Sequence, residues 1–411
     1  YSGMNFIFKK IHNPGLKYLL IFSLVSVFND FWSLIFGIPT LFHLVFLLTF
    51  FLFPRKNIKK TSFLKNVYYL LCIYLFILVV NTLISTIINY YFETKVLSVF
   101  FKSIFILILI PSLTKVKFYE IILFFKYLSI ILIFFTLIPG FIEFLLNKNL
   151  LAYEYGISKD TFYIRGLSID KIDYSFFLVI LIASLLSFHK YFNINKYLSF
   201  SVIIISCFLL VYSFSTTNIL GLLISFIYFL YNQKGKVKNF FFFTILILSI
   251  VKLTDNYLVN YKLKFEYQSD KSQIGNEFRS RAFDESVDYF LESPLFGHGI
   301  GSNAKMLKKR VDYIDKEINS HNFINEFTDF GFIGGCTLLS LVLVVFLKGF
   351  KQRNTKNPIF IFWIIITGPI ISRFVFYYHY FDKFCFLFWI SITILMVSFN
   401  AENNSNKIII N

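Results

Sequence analysis

Apolar runs separated by short polar connectors dominate the chain. They recur over 17–36, 37–53, 66–91, 96–114, 118–139, 173–190, 195–213, 216–232, 239–258, 321–347, 359–378 and 384–399. A run of about 20 residues is what a helix needs to cross roughly 30 Å of hydrocarbon. The pattern therefore predicts an all-α polytopic membrane protein with about twelve transmembrane helices. Two polar segments, 140–172 and 259–320, are too long to be connectors. They divide the chain into five parts: 1–139 with five spans, the loop 140–172, 173–258 with four spans, the large loop 259–320, and 321–411 with three spans and a tail. Within the second loop Phe278, Ala282, Phe283, Val287, Phe290 and Leu291 recur at helical spacing. Arg279, Asp284 and Asp288 share the remaining surface, which predicts an amphipathic helix at the membrane surface.

Charge then gives the chain a direction. Of its 411 residues 57% are hydrophobic and 15% charged, below the quarter usual for a soluble domain. The net charge of +17 sits in short loops: Arg55, Lys56, Lys59 and Lys60; Lys115 and Lys117; Lys190 and Lys196; Lys234, Lys236 and Lys238; Lys348, Lys351, Arg353 and Lys356. Almost no carboxylates accompany them. That is the positive-inside pattern, and it accounts for the charge as orientation rather than nucleic-acid binding. The loops alternate consistently with both termini in the cytoplasm and the two long loops on the external, periplasmic side of a bacterial inner membrane. Lys9, Lys10 and Lys17 precede the first span, which lacks a small-residue cleavage site and reads as an uncleaved anchor. Tyr1 to Gly3 precede Met4 and read as an expression scar.

Cys72, Cys207, Cys336 and Cys385 all lie in apolar runs and read as small hydrophobic residues rather than disulfide or metal partners. No metal or cofactor is expected. No Walker, zinc or dinucleotide-binding pattern is present.

External reactive side chains are few. His298, His321 and His379 are the external histidines. His321 stands in Ser320-His321-Asn322, where a polar loop enters the tenth span, and a wetted imidazole there suits a general base. Helix capping is the alternative reading of that position. Arg165, Arg279 and Arg281 lie in the two long loops, with Arg373 near the outer end of the eleventh span. Guanidinium groups bind phosphate bidentately, and Lys102 in the fourth span is a further cation that could meet the same phosphate. Salt bridges or snorkelling to lipid headgroups are the structural alternatives. Glu277, Asp284, Glu285 and Asp288 read as a solvated helix face rather than a glycosidase pair.

Three stretches together resemble the O-antigen polymerase and O-antigen ligase family, Wzy and WaaL. The first is Arg165-Gly166-Leu167-Ser168-Ile169-Asp170, just before a span. The second is Arg279 followed by Ser293-Pro294-Leu295-Phe296-Gly297-His298-Gly299-Ile300-Gly301-Ser302-Asn303. The third is His321-Asn322 through Gly331-Phe332-Ile333-Gly334. The chain departs from the family pattern in three places. The interval from His321 to the glycines is one residue short, Phe283 stands where Trp is frequent, and Thr217-Asn218 replaces Ser-Arg.

The resemblance implies a metal-independent glycosyltransferase of the GT-C type acting in lipopolysaccharide biosynthesis. Its donor would be an undecaprenyl-diphosphate-linked glycan. By position, Arg165 and Arg279 would grip the diphosphate and His321 would orient or deprotonate the acceptor hydroxyl. Arg281, Arg373, Lys102 and Asn322 would complete the binding surface. Membrane lipids and a chain-length regulator are the other expected partners. The Phe-, Ile-, Lys- and Asn-rich composition favours the polymerase over a ligase that transfers glycan to lipid A-core. A lipid-linked oligosaccharide flippase is the alternative of another class, although the halves show no internal repeat.

Overall fold

The computed structural model describes residues 11–21, 23–24, 62–89, 116–146, 148, 150, 164–168, 171–213, 215, 218–225, 281–299, 302–310, 324–352 and 357–376. Every regular element among them is helical. A backbone in hydrocarbon must satisfy its own N–H and C=O groups, and a helix does so within one segment. Four described helices contain stretches long and apolar enough to cross a membrane: Asn66–Ile84, Phe118–Leu146, Asp173–Tyr191 and Ile324–Val344. Lys196–Tyr212 and Pro358–Ser372 are shorter apolar helices. This is the architecture of an integral membrane protein. The expected spans 37–53, 96–114, 239–258 and 384–399 lie outside the described residues.

The labelled elements are α1 (Ser62–Asn89), α2 (Phe118–Leu132), a π-helical turn (Ile133–Leu137), α3 (Ile138–Leu146), α4 (Lys171–Phe188), α5 (Lys196–Tyr212), α6 (Ser302–Arg310), α7 (Ile324–Gln352) and α8 (Pro358–Phe376). The helix begun at Phe118 runs on to Leu146, past the boundary expected at 139. Pro139 has no N–H to continue the ladder, and the π turn directly before it lets Ile138 N–H reach Ile133 O instead. The chain thus stays helical through Gly140 and carries Glu143 into the bundle.

At the start of α2 a buried carboxylate gathers backbone. Glu120 accepts the N–H groups of His12 at 2.9 Å, Asn13 at 2.8 Å and Lys117 at 3.1 Å. It thereby caps α2 and ties the segment 11–13 against it.

Packing falls into two groups that meet at α7 and α8. In one, α4 is the hub, buried from residue 173 to 183 and packed on α2, α5 and α8. Phe125 of α2, Phe188 of α4 and Phe362 of α8 meet there, with ring centroids 4.6 Å apart for Phe125–Phe188 and 4.5 Å for Phe125–Phe362. In the other group α1 and α6 pack on α7, and Tyr74 meets Phe330 edge-on. Lipid tails are as apolar as Leu, so close backbone approach and buried polar contacts favour association where hydrophobicity cannot. Helical residues 218–225 follow that rule. Gly221 abuts Gly368 and Pro369 of α8, Gly368 N–H donates to Ser225 Oγ at 2.7 Å, and Asn218 donates to Ser175 Oγ at 2.5 Å. Asn218, where the family pattern suggested an arginine, is fully buried and joins two helices.

Cys72, Cys207 and Cys336 lie on α1, α5 and α7, and none of the three is in a disulfide.

The Gly221 crossing leaves no room for a side chain, because a Cβ there would lie 2.5 Å from Pro369 Cα. Gly221→Val is expected to destabilise by about 1–3 kcal/mol, as overpacking does. Thermal unfolding of the detergent-solubilised protein measures it, and an unchanged midpoint would refute the close crossing.

Candidate functional site

Both of the long loops singled out in the sequence have described portions, and each is held by a different device. The first is Ile164–Ser168, just before α4. Its turn closes with Ser168 N–H donating to Arg165 O at 3.0 Å, and Gly166 takes φ +55°, which a side chain rarely tolerates. Glu143 of α3 receives Leu150 N–H on Oε1 at 2.8 Å. Its Oε2 accepts Arg165 N–H at 2.8 Å and Gly166 N–H at 2.7 Å. The carboxylate is fully buried, while Arg165 itself is half-buried. The Tyr174 ring packs against Gly140 and Gly166 at the same place, so neither position has space for a Cβ.

The second loop begins with helical residues 281–292. Ala282 and Tyr289 pack against Met306 and Leu307 of α6, and Ser286 is fully buried. The helix is amphipathic as expected: Ala282 and Ser286 are buried, Tyr289 and Phe290 pack partly buried, and Phe283 and Leu291 are exposed on a surface that also carries Arg281, Asp284 and Asp288.

After this helix, Pro294 to Gly299 lies across a break in α7. Gly331 sits inside α7 at φ 67°, ψ −172°, which interrupts the helical ladder and orphans backbone groups on either side. The loop supplies their partners. His298 N–H donates to Thr328 O at 2.9 Å and Gly299 N–H to Asp329 O at 2.8 Å. In return, Phe332 N–H reaches Pro294 O at 2.7 Å and Ile333 N–H reaches Leu295 O at 3.4 Å. Gly297 and Gly299 also have positive φ, and a Cβ on Gly297 or Gly331 would strike the backbone of the other strand of this joint. The Pro294–Gly299 and Gly331–Gly334 motifs are therefore two halves of one structural unit.

Polar side chains seal that unit. Asn81 of α1 donates its amide to Phe296 O and to Asp329 O. The buried Asp329 accepts Ser302 Oγ–H at 2.9 Å and Asn303 N–H at 3.1 Å, while Asn303 Nδ2 donates to Asn325 Oδ1 at 2.5 Å. His298 stacks on Tyr289 at 3.7 Å and its Nε2 lies 2.6 Å from Tyr289 O. One turn earlier in α7, Tyr74 Oη donates to the buried Glu326 at 3.3 Å.

Of the residues singled out in the sequence, Arg165 stands on the first loop and Arg281 is exposed on helix 281–292. Arg373 belongs to α8. Arg279, His321, Asn322 and Lys102 lie outside the described residues. In sequence, Arg279 directly precedes helix 281–292 and His321-Asn322 directly precedes α7. Glu143, Asp329, Glu326 and Asn81 were missed. The available signal was a carboxylate or amide inside or beside an apolar run, which is expensive without a partner. Among the described residues no three His, Cys, Asp or Glu side chains converge closely enough to hold a metal ion.

Gly331→Ala should cost about 1–3 kcal/mol through the strained φ and collision with the Pro294–Gly299 loop. Phe332→Ala, at an exposed neighbour, should stay within about 0.5 kcal/mol. Comparable losses for the two variants in thermal unfolding would contradict the joint.

No curated protein matches the chain. A protein-family model does, and the stretch it covers runs from α5 through the Pro294–Gly299 loop and the Gly331 break. Over residues 200–339, about a third of its length, the chain matches the O-antigen ligase family model, which supports a place among the O-antigen polymerases and ligases.

Proposed function

We propose that the chain is an O-antigen polymerase, an inverting glycosyltransferase that joins undecaprenyl-diphosphate-linked repeat units at the periplasmic face of the inner membrane. The family match over 200–339 supports polymerase and ligase alike, and the Phe-, Ile-, Lys- and Asn-rich composition is what favours the polymerase. The matched stretch includes Arg279, helix 281–292, the loop-to-α7 joint and His321. The Arg165 loop adds a cation on a pinned backbone outside that stretch. The finer architecture belongs to the same proposal: about twelve spans, a GT-C-like arrangement, both termini in the cytoplasm and the five-part division given above. A chain-length regulator is its proposed protein partner.

In the proposed reaction Arg165 and Arg279 bind the donor diphosphate, with Arg281, Arg373, Lys102 and Asn322 around it. The acceptor hydroxyl oxygen attacks the anomeric carbon and its proton passes to His321. The bond from that carbon to the diphosphate oxygen breaks, and undecaprenyl diphosphate leaves with the electron pair. The arginines stabilise the charge that grows on it. One displacement inverts the anomeric centre. A lipid diphosphate is already an activated leaving group, so the scheme calls for no nucleotide.

A ligase reading has one observation in its favour, since the matching family model is described as O-antigen ligase. The two readings share the donor and differ in the acceptor, which for a ligase is lipid A-core.

Deleting the gene in its host and running surface glycan on a gel separates them. Core capped by a single repeat unit is the polymerase outcome. Bare core with lipid-linked polymer accumulating is the ligase outcome, and an unchanged ladder refutes both. In the complemented strain, Arg165→Ala, Arg279→Ala and His321→Ala should each lower transfer by on the order of 100-fold or more with normal membrane insertion. Full activity in all three would remove the site assignment.

A further inference from the structure

We propose that Glu143 is the positioning residue for Arg165, holding its backbone so that the guanidinium is presented to an anionic ligand at the outer end of the bundle. The inference rests on the reading of Arg165 as a diphosphate-binding residue.

Geometry makes the case. One carboxylate receives three N–H groups, from Leu150, Arg165 and Gly166, at 2.7–2.8 Å. Leu150 and Arg165 flank residues 151–163, so a single side chain from α3 staples together both ends of that loop. Bonds from backbone N–H to an ionised carboxylate are short and about twice as strong as neutral ones. Glu143 is fully buried, a costly place for a charge that serves only to close a loop.

The surroundings leave the loop little freedom. Gly166 has φ +55°, and a Cβ there would lie 3.0 Å from the Tyr174 ring, which also fills the space beside Gly140. Arg165 thus has a backbone fixed on two sides and a side chain that is half-exposed. A binding group must be held to within a fraction of an ångström, since a misplacement of about 1 Å can cost on the order of 100-fold.

The test is a double-mutant cycle on the full-length protein in lipid nanodiscs, with undecaprenyl diphosphate as the probe. Binding is measured per folded molecule for the parent, Glu143→Ala, Arg165→Ala and the double variant. Both single variants should weaken binding by about tenfold to 100-fold, and the double variant should bind no more weakly than Arg165→Ala alone. Gly166→Ala keeps both charges and displaces the same backbone, so it should weaken binding too. It decides the matter if Glu143→Ala fails to fold. Parent-like binding by folded Glu143→Ala, or by Gly166→Ala where the former does not fold, overturns the inference while leaving Arg165 its role. Additive losses in the double variant also overturn it, because Glu143 would then act independently of Arg165. Parent-like binding by Arg165→Ala instead refutes the reading on which the inference rests.

Discussion

Inside a bilayer no water compensates a backbone N–H or C=O that leaves its helix, and each orphaned group costs several kcal/mol. The Gly331 break in α7 creates such orphans. The segment Pro294–Gly299 answers with donors and acceptors of its own, two in each direction. Several described elements gather around this exchange. Asn81 brings α1 to it, Asp329 brings the start of α6, and His298 ties helix 281–292 to it through Tyr289. Gly297 and Gly331 are there because two backbones approach where a Cβ would collide, in addition to the positive φ each requires.

Buried carboxylates do similar work elsewhere. Glu120 and Glu143 each collect three backbone N–H groups, and Asp329 collects a hydroxyl and an amide N–H. Burying an ionised carboxylate costs several kcal/mol unless its oxygens are well supplied. Glu120 and Glu143 are supplied by non-helical backbone beside a helix, and Asp329 by the first two residues of α6. The helices can stay regular while the irregular segments are pinned to them.

The spans were legible because hydropathy alone decides what can cross a bilayer, and α1, α4, α7 and α8 fall near their expected positions. Their limits were less so. The apolar run Phe141 to Leu146 carries the helix beyond Pro139 once a π turn absorbs the missing donor, and no periodicity announces that. Helix 281–292 was legible as amphipathic, but which face turns inward was not. Ala282 and Ser286 are buried and Phe283 is exposed, because the inward side is set by the packing on α6 and α7 rather than by residue size. The loop motifs were visible as glycine spacings, whereas their mutual pairing depends on contacts between distant stretches of chain. Glu143 was hidden for the same reason. Its partners are Leu150, Arg165 and Gly166, and only Leu150 is near it in sequence.

The two pinned loops belong to different packing groups. Arg165 rides on α3 and α4 in the group built around Phe125, Phe188 and Phe362. The Pro294–Gly299 joint rides on α1, α6 and α7. Described contacts between the groups include those of α7 with α8. Within each loop, order is local and strong, secured by bonds to one carboxylate or one helix break. Between the groups, the described contacts are those of side-chain packing, α7 on α8 among them, so among the described residues the firm backbone bonds lie within each loop rather than between the two.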